Sequence, residues 1–320
     1  VPANTSSLPK QYPDRMGHGR LEVACSMDRS PGREESISMP RVRVVTDSTA
    51  DLSSELIKRF DLTVIPLYVR LDDQVYRDGV ELRPERLFQY VAATGTLPQT
   101  SMPTPADFET VFRQIIDAGD DVIYVGLSSH LSGTIQSARL AAQSFPRGRI
   151  AIVDSQNLST GIGLLALYAA ELAAAGTPLP EMAARVQARV SHVKTSFVID
   201  TLEYLHKGGR CSAMQNIVGS LLRIKPRIEV IDGRLEVVEK LMGSRSKALA
   251  SLLRWCLQDK DRIDLHRIFV THAAYPDGAS YLVEELRKAL PFEEVLITEA
   301  GAVISSHCGP GTVGILYTLV

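Results

Sequence analysis

From Val42 onward, short unbroken apolar runs alternate with stretches whose apolar residues recur roughly every three or four positions, the signature of strands alternating with helices. VRVVTDST is a strand that ends in a polar loop, and DLSSELIKRF carries helical spacing at Leu52, Leu56 and Phe60. LTVIPLYVRLDDQVYRDG is β-rich with a turn at Asp72-Asp73, and the helix PERLFQYVAAT follows. The loop GTLPQTSMPTP leads into the helix ADFETVFRQIIDAG. Its start is marked by Thr104 as N-cap, Pro105 at the first helical position and Asp107 in the first turn. DVIYVGL is a continuous apolar strand, SSHLSGT a hydroxyl-rich loop, IQSARLAAQSF a helix and IAIVD another strand. Unbroken Val/Ile runs between helices predict a parallel sheet covered on both faces.

The second half has another rhythm. GLLALYAAELAAAG is apolar on nearly every side, as expected of a helix buried between layers or domains. LPEMAARVQARVSHV, the strand SFVID, a helix and the hairpin RIEVIDGRLEVVEKL, turning at Asp232-Gly233, come next. Another helix, the strand RIFVTH, a last helix and two closing apolar strands complete it. The predicted organisation is α/β in two domains: an N-terminal parallel-sheet α/β domain over 41–155 and a C-terminal mixed α+β domain over 156–320. Residues 1–40 are polar and proline-punctuated, with no sustained period, and predict a disordered extension. A chain that opens on Val and carries Met39 just before its first strand leads to the expectation that translation starts at Met39.

Composition narrows the function. Lys+Arg 35 against Asp+Glu 37 leaves no whole-chain positive field for nucleic acid or an anionic membrane. The longest apolar run, Ile162 to Ala170, is far short of the roughly 20 residues that span a bilayer, so no transmembrane segment is expected. Cys25, Cys211, Cys256 and Cys308 lie far apart, which predicts reduced thiols in the cytoplasm.

Ligands of open α/β sheets bind beyond the carboxyl ends of the strands. Those positions hold Asp47-Ser48-Thr49, then Ser128 to Thr134, then Asp154-Ser155 and Ser159-Thr160-Gly161. Thr100-Ser101 precede the capped helix. The rim is crowded with small hydroxyls and nearly free of Lys, Arg or clustered His. No GxGxxG or GxxxxGK[ST] cradle follows the first strand, no HxxxH or HxH pair supports a metal, and there is no GxSxG elbow. No cofactor is expected. Each candidate also has a plain structural role. Ser132 fits the N-cap of the helix IQSARL, and Thr100 and Ser101 suit a loop before proline. His307 sits where Gly309-Pro310-Gly311 forces a turn, and Lys207 to Arg210 suits an exposed basic turn. The residues thus predict a neutral, hydroxyl-lined, anion-compatible cleft and no particular reaction.

At these positions the chain resembles the DegV family of lipid-binding proteins. The resemblance runs from Val42 onward through TDSTADLS from Thr46, TSMPTP from Thr100, LSSHLSGTIQSA from Leu127 and DSQNLSTGIG from Asp154. LEYLHKGGR from Leu202, GSLLRIKP from Gly219 and SHCGPGTVG from Ser306 complete the set. It implies two α/β domains with a long-chain fatty acid, such as palmitate, in a tunnel between them. It also implies a carboxylate held by Thr100 and Ser132, with His307 near the head group. Ser101, Arg210 and His130 are candidates for the surroundings of that group.

The chain departs from the pattern at three points. His130 stands where glycine is usual, so an imidazole is expected to enter the head-group region, and Met102 stands where Gln is usual. Gly243 replaces an arginine two residues before Arg245 that in some members helps a partner fatty-acid kinase, which argues against that partner here. The resemblance implies a carrier in lipid transport or fatty-acid metabolism. The rival readings are a serine/histidine acyl-ester hydrolase using Ser132 and His307, and a lipid-responsive interaction protein.

Overall fold

A computed structural model describes residues 40–211 and 224–320, which belong to one compact unit. The predicted extension and the Met39 start lie outside the described residues, as does most of the GSLLRIKP block. In chain order the first half comprises β1 (Val42–Asp47), α1 (Ser54–Arg59), β2 (Thr63–Ile65), β3 (Tyr68–Leu71) and β4 (Gln74–Arg77). It continues through α2 (Pro84–Thr94), β5 (Gln99–Ser101), α3 (Pro105–Asp117), β6 (Asp121–Gly126), α4 (Thr134–Ala142) and β7 (Ile150–Asp154). The second half begins with α5 (Thr160–Ala174), α6 (Leu179–Arg189), β8 (Val193–Val198), α7 (Glu203–Gly208), β9 (Ile224–Ile231) and β10 (Arg234–Met242). It ends with α8 (Arg245–Gln258), β11 (Ile263–Ala273), α9 (Pro276–Ala289), β12 (Glu294–Glu299), α10 (Ala302–Cys308) and β13 (Thr312–Leu319).

The first sheet is parallel throughout, in the order β2-β1-β6-β7. Strand alternation sends Val45, Val122 and Tyr124 to one face, against Phe108 and Phe112 of α3 and Ile135 of α4. Val44, Ile123 and Val125 point the other way, into the core that holds Ile162 and Leu165 of α5. Both faces are therefore covered, as continuous apolar strands require. The second sheet is mixed, in the order β10-β9-β8-β13-β11-β12, with β11 and β12 its parallel pair. Helix α5 buries eleven of its fifteen residues and packs against β1 and β6 of one sheet and β8, β11 and β13 of the other. That double contact explains why it is apolar on all sides.

The hairpin β9–β10 turns at Asp232 (φ 47) and Gly233 (φ 77), the two positive angles that a tight hairpin turn needs. Thr104 caps α3 in a complete capping box with Asp107. Three local readings are corrected. Gln99–Ser101 is a strand, pairing antiparallel with β3 in a small sheet β4-β3-β5. Ser132 does not cap α4: the N-cap position is Gly133, with no side-chain cap bond. His307 lies in the last turn of α10, ahead of the glycine turn.

Candidate functional site

The parallel order β2-β1-β6-β7 places its switch point between β1 and β6, where a crevice opens beyond the strand ends. Asp47, at the end of β1, is fully buried there. It accepts hydrogen bonds from the Leu127 N–H (3.0 Å) and the Tyr124 hydroxyl (2.7 Å), and these fix the loop after β6. Ser128 Oγ donates to the Gly233 carbonyl at 2.8 Å, tying the same loop to the β9–β10 turn. The loop then tightens through Ser132 N–H to Ser128 O (3.1 Å) and presents Ser132, whose Oγ lies 2.8 Å from Thr134 Oγ1.

Thr100 arrives from a different element. It sits on β5 opposite Val69 of β3, and its Oγ1 lies 2.8 Å from His307 Nε2 on α10. Thr100, Ser101, Met102, Ser132, Arg210 and His307 line one cavity of about 70 Å3, closed by Leu67, Leu127, Leu131 and Val303. One water needs roughly 10–15 Å3 on this measure, so a small polar group fits. The Met102 thioether lies over Gly133, where a Cβ would come within 2.6 Å of the sulfur.

Electrostatically the cavity is positive and weakly so. Arg210 is exposed, donates to the Gly208 carbonyl at 2.6 Å and pairs with no carboxylate among the described residues. Burial, helped by the Arg210 charge, pushes His307 down to about 4, so its ring is neutral near pH 7. Its Nδ1 is buried and has no hydrogen-bond partner among the described residues. It faces Gly208, where a Cβ would approach to 2.4 Å.

A second cavity, about 60 Å3, adjoins the first and shares Leu158, Leu235, Ile304 and His307 with it. Phe197, Leu205, Ala273, Ala300 and Leu316 complete its apolar wall. Thr195, Thr271 and Ser159 also line it, but their hydroxyls are used elsewhere. Thr195 donates to Asn157 Oδ1 (2.7 Å), Thr271 bonds Thr160 (2.7 Å) and Ser159 donates to Asp51 (2.6 Å). A hydroxyl committed to a buried partner leaves carbon facing the cavity. A pocket that gathers several polar groups thus adjoins a more apolar one.

The structure brings Thr100, Ser101, Ser132, Arg210 and His307 together. His130 is the exception. It is exposed, its ring packs against the Gly233 turn, and it does not line the cavity, so the expected imidazole does not enter the head-group region. Asp47, Asp51 and Asp78, the carboxylates that hold the surrounding elements in place, were not among the predicted site residues. Asp47 had a signal, as the polar end of the first strand; Asp78 had none, because its partners are distant in sequence.

Two sheets bridged by one buried helix, with two adjoining cavities near the switch point, define the class as an α/β fold with a parallel sheet and a separate mixed sheet. Residues 41–319 match the model of the DegV family, described as "Uncharacterised protein, DegV family". The chain belongs to this family. It is 35% identical over 274 residues to a DegV domain-containing protein of Deinococcus radiodurans, covering 86% of this chain and 97% of that one. Among solved structures it is similar to a fatty-acid-binding DegV family protein from Thermus thermophilus, with a TM-score of 0.81 and 38% identity. That match covers 88% of this chain and 100% of the other. DegV, a fatty acid binding protein from Bacillus subtilis, gives a TM-score of 0.78 and 32% identity over 88% and 100% of the two chains. No helix among the described residues is long and apolar enough to cross a membrane.

Proposed function

We propose that the protein binds a long-chain fatty acid, with its carboxylate held by Thr100 and Ser132 and its chain in the more apolar second cavity. It then acts as a non-enzymatic carrier in cytoplasmic lipid transport or fatty-acid metabolism. The observation that carries this reading is the adjacency of the two cavities, which share Leu158, Leu235, Ile304 and His307. Polar groups gathered at the first and an apolar wall at the second match an amphiphile. The fatty-acid binding of the Thermus thermophilus and Bacillus subtilis relatives supports the choice of ligand.

Magnitudes divide the roles. Burying about fifteen methylenes at roughly 0.8 kcal/mol each is a gross term on the order of 12 kcal/mol. Two hydroxyls donating to a carboxylate add about 1.5–3 kcal/mol apiece. The second cavity supplies affinity and the hydroxyls orient the chain. At about 60 Å3 the second cavity is smaller than a sixteen-carbon chain, so its walls must part on binding.

The hydrolase alternative has little support. His307 Nε2 bonds Thr100, Ser132 bonds Thr134, and His307 Nδ1 has no carboxylate partner among the described residues. A serine nucleophile needs its base within hydrogen-bond reach and that base oriented by a third group. Gly243 puts no guanidinium two residues ahead of Arg245, which argues against a kinase-presenting role.

Native mass spectrometry of the purified protein, followed by denaturing lipid extraction, tests the reading. A stoichiometric long-chain fatty acid is expected. Failure to load added fatty acid after delipidation overturns it.

A further inference from the structure

Asp78 lines neither cavity, yet it is bonded to two walls of the first. Its backbone N–H donates to the Leu67 carbonyl at 2.9 Å. Its Oδ2 accepts from Ser48 Oγ at 2.8 Å, and the same Ser48 oxygen accepts the Leu67 N–H at 3.1 Å. Leu67 lines the head-group cavity and runs straight into β3, whose Val69 pairs with Thr100. That is the first wall. The second is α10, where the Ala302 N–H donates to Asp78 Oδ1 at 2.7 Å. This seven-residue helix carries Val303, Ile304 and His307 into the cavity.

The two walls meet again at the Thr100–His307 contact of 2.8 Å, which closes a loop that begins and ends on one carboxylate. Asp51 reinforces the α10 side, with Oδ1 accepting the Gly301 N–H at 2.8 Å and Oδ2 taking the Ser159 hydroxyl at 2.6 Å. Sequence alone gives α10 little reason to be a helix. It is short, contains β-branched Val303 and Ile304, and has no side-chain cap of its own. The two distant carboxylates do the work of that missing cap by satisfying the first free N–H groups. Burial raises Asp78 to about 6, so near pH 7 it is ionised and both oxygens only accept.

We propose that Asp78 is a positioning residue of the head-group site: by tying Leu67 to the start of α10 it fixes the spacing of Thr100 and His307, and with it the geometry that receives a carboxylate. The proposal rests on the fatty-acid reading above. A residue that merely stabilises the fold would weaken every ligand equally. A positioning residue changes the recognition of the charged head group and leaves the grip on the chain intact.

The test measures binding of a long-chain fatty acid and of the fatty alcohol of equal length to wild type, Asp78→Ala, Asp78→Asn and Ser48→Ala. Asp78→Ala should weaken the acid about tenfold and the alcohol less than about twofold, since the charge-assisted bonds depend most on geometry. Asp78→Asn, which can still accept the Ala302 N–H and donate to Ser48, should recover most of the loss. Ser48→Ala should reproduce part of it and serves where Asp78→Ala fails to fold. The ¹⁵N shifts of the His307 ring, read without ligand, should move in Asp78→Ala and return in Asp78→Asn. Equal losses for acid and alcohol, or unmoved His307 shifts, overturn the positioning role. A wild type that binds neither compound overturns the fatty-acid reading instead, and the ring shifts still decide the role of Asp78.

Discussion

Thr100 Oγ1 and His307 Nε2 lie 2.8 Å apart although 207 residues separate them, and each belongs to a different wall of the pocket. The neutral ring leaves two arrangements. If Nε2 carries the proton it donates to Thr100, and the threonine hydroxyl is free to donate to an incoming carboxylate. If Nδ1 carries it, Thr100 must donate to Nε2 and has no proton left for a carboxylate. Nδ1 lacks a partner among the described residues in both arrangements. The proposed carboxylate contact therefore requires the first arrangement, in which His307 aims the Thr100 proton into the cavity.

Head-group substitutions should separate charge from chain. Thr100→Ala and Ser132→Ala should each weaken fatty-acid binding by about 1–3 kcal/mol, and that of the neutral fatty alcohol much less. The two losses should not add, because both hydroxyls serve one carboxylate. Since Ser132 does not cap α4, Ser132→Ala should leave the melting temperature nearly unchanged. Titration calorimetry with acid and alcohol checks the first point. Equal losses for the two compounds would mean that the hydroxyls shape the mouth without reading charge.

Gly208 offers a way to disturb the site without touching its lining. A Cβ there would sit 2.4 Å from His307 Nδ1, so Gly208→Ala must push the ring away from its position against Thr100. Binding of the acid should fall as it does in His307→Ala, and alcohol binding should hold. An unchanged acid affinity would show that the ring is not needed where it stands.

Much of this architecture is written in local pattern. The apolar runs of β1 and β6, the all-round apolar α5, the Thr104 capping box and the Asp232–Gly233 turn each follow from neighbouring residues. What escapes local reading depends on partners far away. Helix α10 exists because Asp51 and Asp78 satisfy its first N–H groups across more than 200 residues. β5 is a strand because β3 supplies its ladder. His130 looked like a head-group residue by sequence position, but the loop that Ser128 ties to Gly233 turns it onto the hairpin. Thr100, Ser132 and His307 stand out in the sequence through whole motif blocks. The bond between Thr100 and His307 and the contacts that support it do not.

Ile304 lines both cavities and should control chain length: Ile304→Phe should obstruct a chain that runs from the first into the second while leaving Thr100 and Ser132 in place. A sixteen-carbon acid should then lose at least about tenfold in affinity, because methylenes kept out of the second cavity lose burial worth roughly 0.8 kcal/mol each. An acid of about six carbons, too short to reach the second cavity, should lose less. Competition binding across a series of chain lengths measures this, and a uniform loss along the series would place the chain elsewhere.

His307 and Asp78 should give the protein opposing acid responses. His307 titrates near 4 in the fold against 6.5 for the free group, because burial disfavours its charged form. The unfolded chain then binds more protons between those values, and stability falls as pH drops from 6.5 toward 4. Asp78 titrates near 6 against 3.8, also through burial, so the folded chain binds more protons between those values. Stability contributed through Asp78 therefore rises as pH drops from 6 toward 3.8. Each shift amounts to about 3 kcal/mol at one unit per 1.36 kcal/mol, and the two windows overlap almost fully. Wild type should show little net change from this pair on acidification. His307→Gln should gain stability relative to wild type between pH 6.5 and 4, and Asp78→Asn should lose it. Urea unfolding at pH 7 and pH 4.5 reads both differences. Parallel pH profiles for the two variants would mean that the two groups do not titrate in these windows.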